Sequence, residues 1–477
     1  MPDFRVTLTR APDSRDITAS VLELRWRLGF AQPYDSLARP AAGQILLDNR
    51  DQSFSPELDS SGLLTPGTAV LVECEYDGWQ PMFSGVIAHI EPDMGERGPR
   101  RALVHVESAD AALARVIVRL PVLAGVRADE ILEAVLDTPP LDGLPRDFEQ
   151  GASVFAYAGD QWGGGISARA AIEQAAGAER GRVYISRDGT LVFRSRQSGL
   201  ASAAPDATFD AVADAAHMTY GADLVNHVCI GLRPRALGAP ASTLWTLANS
   251  QRLRPGAQIN LVVPLRDAQG RRAGAVSVIT PVAYTDFSAN SLPDGSGSDA
   301  TASVTITVLA LEGSAARLRL ENSAATTVYL MPGATLRGTP LLGGQPVVYE
   351  DADSASITAY GQHALSLRLP LIDSVDEAAA LAGWELARRT QLACVTAFTL
   401  SDRVRYADAL PLTVFQRVRL IDPHSGHDAV YSIIAEAHTV TLGGYRHVIR
   451  YLLEPAPDAA FWTVGVSALG VSTALAV

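Results

Sequence analysis

The sequence has no lysine. All 39 basic residues are arginine, they face 52 aspartates and glutamates, and the formal net charge is −13. So acidic a balance argues against sequence-specific nucleic-acid binding and against attachment to an anionic membrane. Exclusive use of arginine is the expected trace of GC-rich coding. The functional alternative is that guanidinium forks grip carboxylates at interfaces. Only three cysteines occur, Cys74, Cys229 and Cys394. They lie far apart in strand-like stretches, which leaves no disulfide framework and no zinc or iron–sulfur knuckle, and each is expected as a small buried apolar side chain. No apolar run reaches the ~18 residues of a membrane span, and no basic segment followed by an apolar one marks a signal peptide. The nucleophile elbow, the H-E-x-x-H zinc motif and the P-loop are missing. Trp162-Gly163-Gly164-Gly165 is glycine-rich, but no strand leads into it and no lysine follows, so it is not a phosphate cradle. No catalytic residue, cofactor or metal is expected.

What is present is β-rich. Aromatics make up only 6% while Ala, Val, Leu, Gly and Pro are plentiful, a composition of turn-rich β domains rather than helix bundles. The length of 477 residues suggests roughly three domains. The chain is best organised around Gly43–Pro56, G-Q-I-L-L-D-N-R-D-Q-S-F-S-P. Ile45–Leu47 is strand-like, and Asp48, Asn49, Asp51 and Ser53 can hold tight turns through their own backbone. Asn49 is the expected left-handed residue. Phe54 is the lone aromatic of a polar loop, and Pro56 fixes the exit.

Residues 1–110 read as a compact all-β unit, most simply a small barrel or sandwich. Val21–Leu28 alternates, with Leu22, Leu24, Trp26 and Leu28 on one face. Thr68–Tyr76 and Met82–Ile90 form a hairpin across Asp77-Gly78, and Ala102–Val106 adds a strand. Residues 111–204 read as a small α/β domain. A helix over Ala128–Asp137 stops at Pro139-Pro140, a second covers Ser167–Ala178, and Val183–Ile185 and Leu191–Phe193 flank Ser186-Arg187-Asp188-Gly189-Thr190 as a hairpin. Residues 201–215 are a linker or exposed loop, and Leu224–Leu232 returns to strand. Some seven short strands over 245–365 would make a β-sandwich, with Val304, Ile306 and Val308 inward. The longest helix, Val375–Leu392, begins at the capping box Ser374-Val375-Asp376-Glu377 and carries Arg388 and Arg389 near its other end. Val375, Ala378, Ala379, Ala382, Leu386 and Arg389 are its expected packing face. Strands Leu412–Leu420, Ala429–Ile434 and His447–Leu453, the last after a turn at Gly443-Gly444, complete a further β unit. Trp462–Val477 reads as a strand or extended tail.

Few residues suggest chemistry. His424 and His427, beside Asp422 and Asp428, are the best metal candidate, and a solvated hairpin loop is the preferred reading. His438 and His447 read as a structural pair across a hairpin rather than a proton relay. Asp294 and Asp299 around Gly295–Gly297 lack the EF-hand spacing and its closing glutamate, so a surface loop is expected. Asp286 sits in a turn, and no glycosidase carboxylate pair stands out.

The order of the motifs carries a resemblance. The L-D-N-R-D-x-x-F-S-P core is followed by Gly67-Thr68-Ala69-Val70, Phe83-Ser84-Gly85-Val86-Ile87, the Asp188–Phe193 hairpin, Asp223-Leu224-Val225-Asn226, and Ser356–Gly361 with the long helix. In this order they resemble the tail hub proteins of long-tailed, siphophage-type bacteriophages and prophages, relatives of contractile-tail hubs. The resemblance covers most of the chain. It implies a mainly β multidomain fold with minor α: tube-like β-barrel domains at 1–110 and at 205–240 joined to 370–455, a small α/β insertion at 111–204, a β-sandwich insertion at 245–365 and a C-terminal tail at 456–477. It implies a homotrimeric ring that meets a hexameric tail, located at the virion tail tip and assembled in the host cytoplasm. A distal tail ring protein, a tape measure protein and central fibre or spike proteins would be its partners, with DNA sliding past an acidic wall without sequence-specific binding. Asp48, Asn49, Arg50, Asp51, Phe54 and Pro56 then become interface or structural candidates near a barrel rim. Phe54 is expected to anchor in its own domain, a neighbouring subunit being the alternative. No lysozyme-like or fibre domain follows residue 477, so digestion and receptor binding would belong to partners. Competing readings are the hub of a contractile injection system, a carbohydrate-binding tail adhesin using Trp245, Tyr284 and Tyr329 of the sandwich, and a glycan-cleaving tail enzyme.

Overall fold

The computed structural model describes residues 3–94, 98–198, 204–210, 215–391, 394–401, 405–441 and 446–456. The fold is mainly β with a few helices, distributed over several sheets. Alternation builds the largest of them. In Val21–Gly29, Leu24, Trp26 and Leu28 are buried while Arg25 and Arg27 face out. Leu22, expected inward, is only half-buried, because the register with Ala42–Asp48 shifts between Val21 and Glu23. The predicted hairpin turn is formed by Asp77 and Gly78, both with positive φ (59° and 83°), as a primed turn between twisted strands requires. Gly85 answers a close approach: a Cβ there would stand 2.5 Å from the Glu107 carbonyl oxygen.

Among the described residues this sheet has 13 strands. Phe4–Arg10, Ala69–Glu75, Trp79–Pro92, Arg101–Glu107, Ala42–Asp48 and Val21–Gly29 succeed one another antiparallel. Val21–Gly29 then pairs with the 15-residue strand His427–Thr441, beyond which lie Arg446–Pro455, Cys394–Leu400 and Ala215–Tyr220. The two ends of the chain therefore share one ladder, with Trp26 opposite His438 and Leu28 opposite Glu436. A single apolar core runs along it, from Phe4 and Leu24 through Ile131 of α1 (Ala128–Leu136) and Ile172 of α2 (Ala168–Glu179) to Phe398 and Tyr451. Both helices form where expected. They pack on each other beside a small sheet in which Leu191–Arg194 is flanked by Arg146–Phe148 and Arg182–Ile185.

A second core, with Leu244, Phe287, Ile306, Leu318, Leu330 and Leu336, belongs to the strands between 242 and 343. Val304 and Ile306 point inward there, and Val308 is half-buried before a register shift. This unit meets the α/β segment at Gly163, where a Cβ would lie 1.8 Å from Ser314 Oγ. Arg235 pairs with Asp160 beside it (2.9 Å). Val347–Ala352, His227–Leu232 and Ala364–Arg368 form a separate three-stranded sheet, with α3 (Ser354–Tyr360) in the connection and α4 (Val375–Arg389) packed against it.

Five local expectations are corrected. The buried side of α4 is Ala378, Leu381, Ala382 and Glu385, while Val375 is exposed; an acid lies inside because arginines wait there for it. The strand expected from Leu412 starts at Arg417, after a turn at Phe415 (φ 74°). Cys74 is buried, but Cys229 is half-exposed, because its strand gives Val228 and Ile230 to the core and Cys229 to the other face. Asn49 is not the left-handed residue of its loop; Gln52 is (φ 66°). The expected turn at Gly443-Gly444, Leu392, residues 201–203 and 211–214 and the tail from Trp462 lie outside the described residues, while Ala207–Asp210, expected in a linker or exposed loop, is a strand paired in parallel with Arg417–Asp422. No described helix is long and apolar enough to cross a membrane.

Candidate functional site

The organising corner separates into a buried half and an exposed half. Asn49, 5% exposed, takes its backbone N–H to the Arg100 carbonyl (2.9 Å) and closes the loop with its side chain. Its Oδ1 accepts from the Phe54 N–H (2.8 Å), its Nδ2 donates to Ser55 Oγ (3.2 Å), and its carbonyl accepts from the Gln52 N–H (3.0 Å). With the side chain spanning the loop, the left-handed kink falls on Gln52. Phe54 is fully buried in the main core, capped by the Arg15 guanidinium 4.9 Å from its ring centre. On the outer side Arg50 Nε donates to Asp48 (2.8 Å), and the Arg50 hydrogen bonds hold the Asp48 carboxyl below its ordinary value. Asp51 accepts from the Ser53 N–H (3.1 Å), and Pro56 opens a short 3-10 turn.

A stronger constellation lies where the α/β segment docks. Its hairpin and the preceding turn carry Arg180, Arg182 and Arg187, and each is held by a buried glutamate from the last quarter of the chain. Arg187, from the tip of the S-R-D-G-T hairpin, donates Nε to Glu436 Oε1 (2.9 Å) and pairs through Nη2 with Glu436 Oε2. Its remaining N–H groups reach the carbonyls of Leu410 (2.7 Å) and Leu412 (2.6 Å). Arg182 makes a two-point contact with Glu454 (2.7 and 2.8 Å), which also accepts from the Tyr34 N–H (3.0 Å). Arg180, left-handed at the end of α2 (φ 56°), holds Glu385 of α4 (2.6 Å). A small core of Phe30, Ala38, Tyr184, Val192, Val414 and Ile434 fills the seam. Backbone bonds from Ala38 to Val183 and from Val183 to Ser36 (both 2.8 Å) tie it.

The Glu436 carboxylate continues into a histidine chain. His438 Nε2 lies 3.3 Å from Glu436 Oε2, and His438 Nδ1 lies 3.0 Å from His447 Nε2. The pattern closes if His438 donates to the carboxylate and His447 donates to His438, both rings neutral. Trp26 stacks on His438 (4.6 Å, 7°), and Phe4 meets His447 edge-on (5.3 Å). Burial alone would raise the Glu436 carboxyl; the Arg187 charge and hydrogen bonds, with His438, outweigh it and bring it down to about 2. Burial, then His438 and Arg187, lower His447 to about 2. The two histidines sit diagonally across the ladder, His438 opposite Ile449 and His447 opposite Val440, and both are buried.

No known family's sequence profile matches the chain, and no curated protein matches it in sequence. Solved structures do share its architecture. The tail protein from Neisseria meningitidis MC58 is 11% identical, with a TM-score of 0.53 over 94% of this chain and 96% of that one. The 43 kDa tail protein of prophage MuSo2 from Shewanella oneidensis is 11% identical, with a TM-score of 0.52 over 95% of this chain and 99% of that one. The chain has the phage tail-protein fold.

Within this tail-protein fold the other candidates are dispersed. His424 is exposed, His427 Nε2 meets the Tyr431 hydroxyl (2.8 Å), Asp422 caps the His424 N–H (3.1 Å), and Asp428 pairs with Arg419 (2.7 Å). The two imidazoles are thus not gathered with the carboxylates. Asp286 is buried on Arg337 (2.5 Å), and Asp294 and Asp299 cap their own turns. Of Trp245, Tyr284 and Tyr329, only Tyr284 is exposed. Two clusters went unnoticed in the sequence: His89 with Glu91 and His105, and His227 with Cys229 and Glu350. Register brings them together; His89 opposes His105 only because pairing slips between Ile87 and His89. The available signal was a histidine two positions from a second ligand type on a strand.

Phe54→Ala is expected to cost ~3–5 kcal/mol of folding stability, read by chemical denaturation, with assembly of the folded fraction unchanged. Glu436→Ala strands the Arg187 charge and should cost ~3–5 kcal/mol, while Arg187→Met combined with Glu436→Leu should cost far less. Acid should weaken the fold through His447. Its folded value is below its ordinary 6.5, so its contribution is complete above that pH and is lost as pH falls towards the folded value. Lowering the pH from about 7 to about 5 should remove about 2 kcal/mol through this group, and His447→Gln should flatten the unfolding free energy by that amount over the same range.

Proposed function

We propose that the chain is a structural hub of a phage-type tail tip. The carrying observation is that its fold matches two tail proteins over nearly the full length of both partners in each comparison. In this reading it forms a trimeric ring that adapts the hexameric tail tube and distal tail ring to a three-fold tip, around the DNA channel. The tube-like units are 1–110 and 205–240 with 370–455, and the pairing of Val21–Gly29 with His427–Thr441 supports treating the two ends of the chain as neighbouring walls. The segments 111–204 and 245–365 are insertions outside those walls, and 456–477 is a C-terminal tail. A net charge of −13 suits a wall past which DNA slides without sticking. The buried charges serve packing in this account, and the role is scaffolding rather than catalysis. Tape measure, distal tail ring and central fibre or spike proteins are the partners, and the tail tip is the location, after assembly in the host cytoplasm. The exposed Arg50 and Asp51, with half-buried Asp48 beside them, are the part of the corner available to a neighbouring subunit.

Mass photometry and negative-stain imaging of the purified chain test this. Trimers, or three-fold rings on tail particles, are expected. A strict monomer at every concentration and salt, together with tails that never contain the chain, would overturn it.

A further inference from the structure

We propose that His227, Cys229 and Glu350 form a binding site for a borderline-soft divalent cation of the zinc class. The site is independent of the hub reading. His227 and Cys229 lie two apart on His227–Leu232, so their side chains share the face turned away from the core that Val228, Ile230 and Leu232 enter. Glu350 stands directly opposite Cys229 in the antiparallel register with Val347–Ala352. His227 Nε2 is 3.8 Å from Cys229 Sγ and 3.6 Å from Glu350 Oε2, and all three ligand atoms lie within 4.8 Å of one another.

These separations are those of a coordination polyhedron. Metal bonds of about 2.0–2.1 Å to nitrogen and oxygen and about 2.3 Å to sulfur give tetrahedral edges of roughly 3.3–3.6 Å. Side-chain adjustment on a fixed backbone closes the difference. The backbone is fixed, because His227–Leu232 is the central strand, flanked by Val347–Ala352 and Ala364–Arg368, with α4 packed on the sheet. The second ring nitrogen is also provided for. Gln362 Nε2 lies 2.7 Å from His227 Nδ1; turning that terminal amide over places its oxygen there instead, where it accepts from Nδ1–H and directs the Nε2 lone pair towards Cys229 and Glu350. A thiolate, an imidazole and a carboxylate select zinc-class ions over magnesium or calcium. Binding replaces the Cys229 S–H by a metal–sulfur bond and releases that proton to solvent; His227 binds neutral and Glu350 as the carboxylate. Three protein ligands leave a fourth position for water.

The test uses the reduced, chelator-stripped full chain titrated with Co²⁺, followed by displacement with Zn²⁺. The expected result is a thiolate-to-cobalt charge-transfer band that saturates at one equivalent and is bleached by Zn²⁺. Cys229→Ser should abolish the band, and Gln362→Leu should weaken binding about tenfold or more. His89→Ala with His105→Ala should leave the band intact, which separates this site from the sulfur-free cluster. Melting curves without metal establish that each variant is folded. Absence of the band in the wild-type chain, or its survival in folded Cys229→Ser, would overturn the proposal.

Discussion

The ion pair between Arg187 and Glu436 is the constraint on which the arrangement of this chain depends. Both groups are buried, and neither tolerates burial without the other. Arg187 arrives on a hairpin tip from the α/β segment, and Glu436 sits mid-strand where the two ends of the chain share a ladder. Their contact fixes where the hairpin enters, and the Leu410 and Leu412 carbonyls fix its angle. The same glutamate anchors the His438–His447 chain beneath Trp26, so one carboxylate connects three separate parts of the sequence.

Arginine suits this work and lysine does not. A planar fork can satisfy two carboxylate oxygens and two carbonyls at once, as Arg187 does, whereas Arg182 holds both Glu454 oxygens through Nη2 alone. The absence of lysine is compatible with GC-rich coding, yet at these junctions the guanidinium geometry is used. Docking through paired charges and a small apolar seam makes the α/β segment part of one body with the long sheet.

Much of the fold was legible because it is local. The alternation of Val21–Leu28, the Asp77-Gly78 turn, α1, α2 and the Ser186–Thr190 hairpin are each written within a dozen residues. Phe54 was legible as an anchor, since a lone aromatic in a polar loop has few other uses. The junction was not legible. Arg187 finds its partner 249 residues away, and nothing local distinguishes it from the other arginines. Glu385 looked like an ordinary helix acid until Arg180 was placed against it. Cys229 looked apolar because its strand is apolar; its exposure depends on which face of that sheet α4 covers. Register and docking, which come from the whole chain, decided what composition and periodicity could not.

Native-state hydrogen exchange tests the central claim most directly, because it reads whether the docked hairpin opens with the sheet or before it. Amides of Arg182–Ile185 and of the paired half of His427–Thr441 should exchange through a common opening whose free energy approaches that of global unfolding. Exchange of Arg182–Ile185 through an opening several kcal/mol below that of the long strand would show that the buried charge pairs do not unite the two, and would contradict the account.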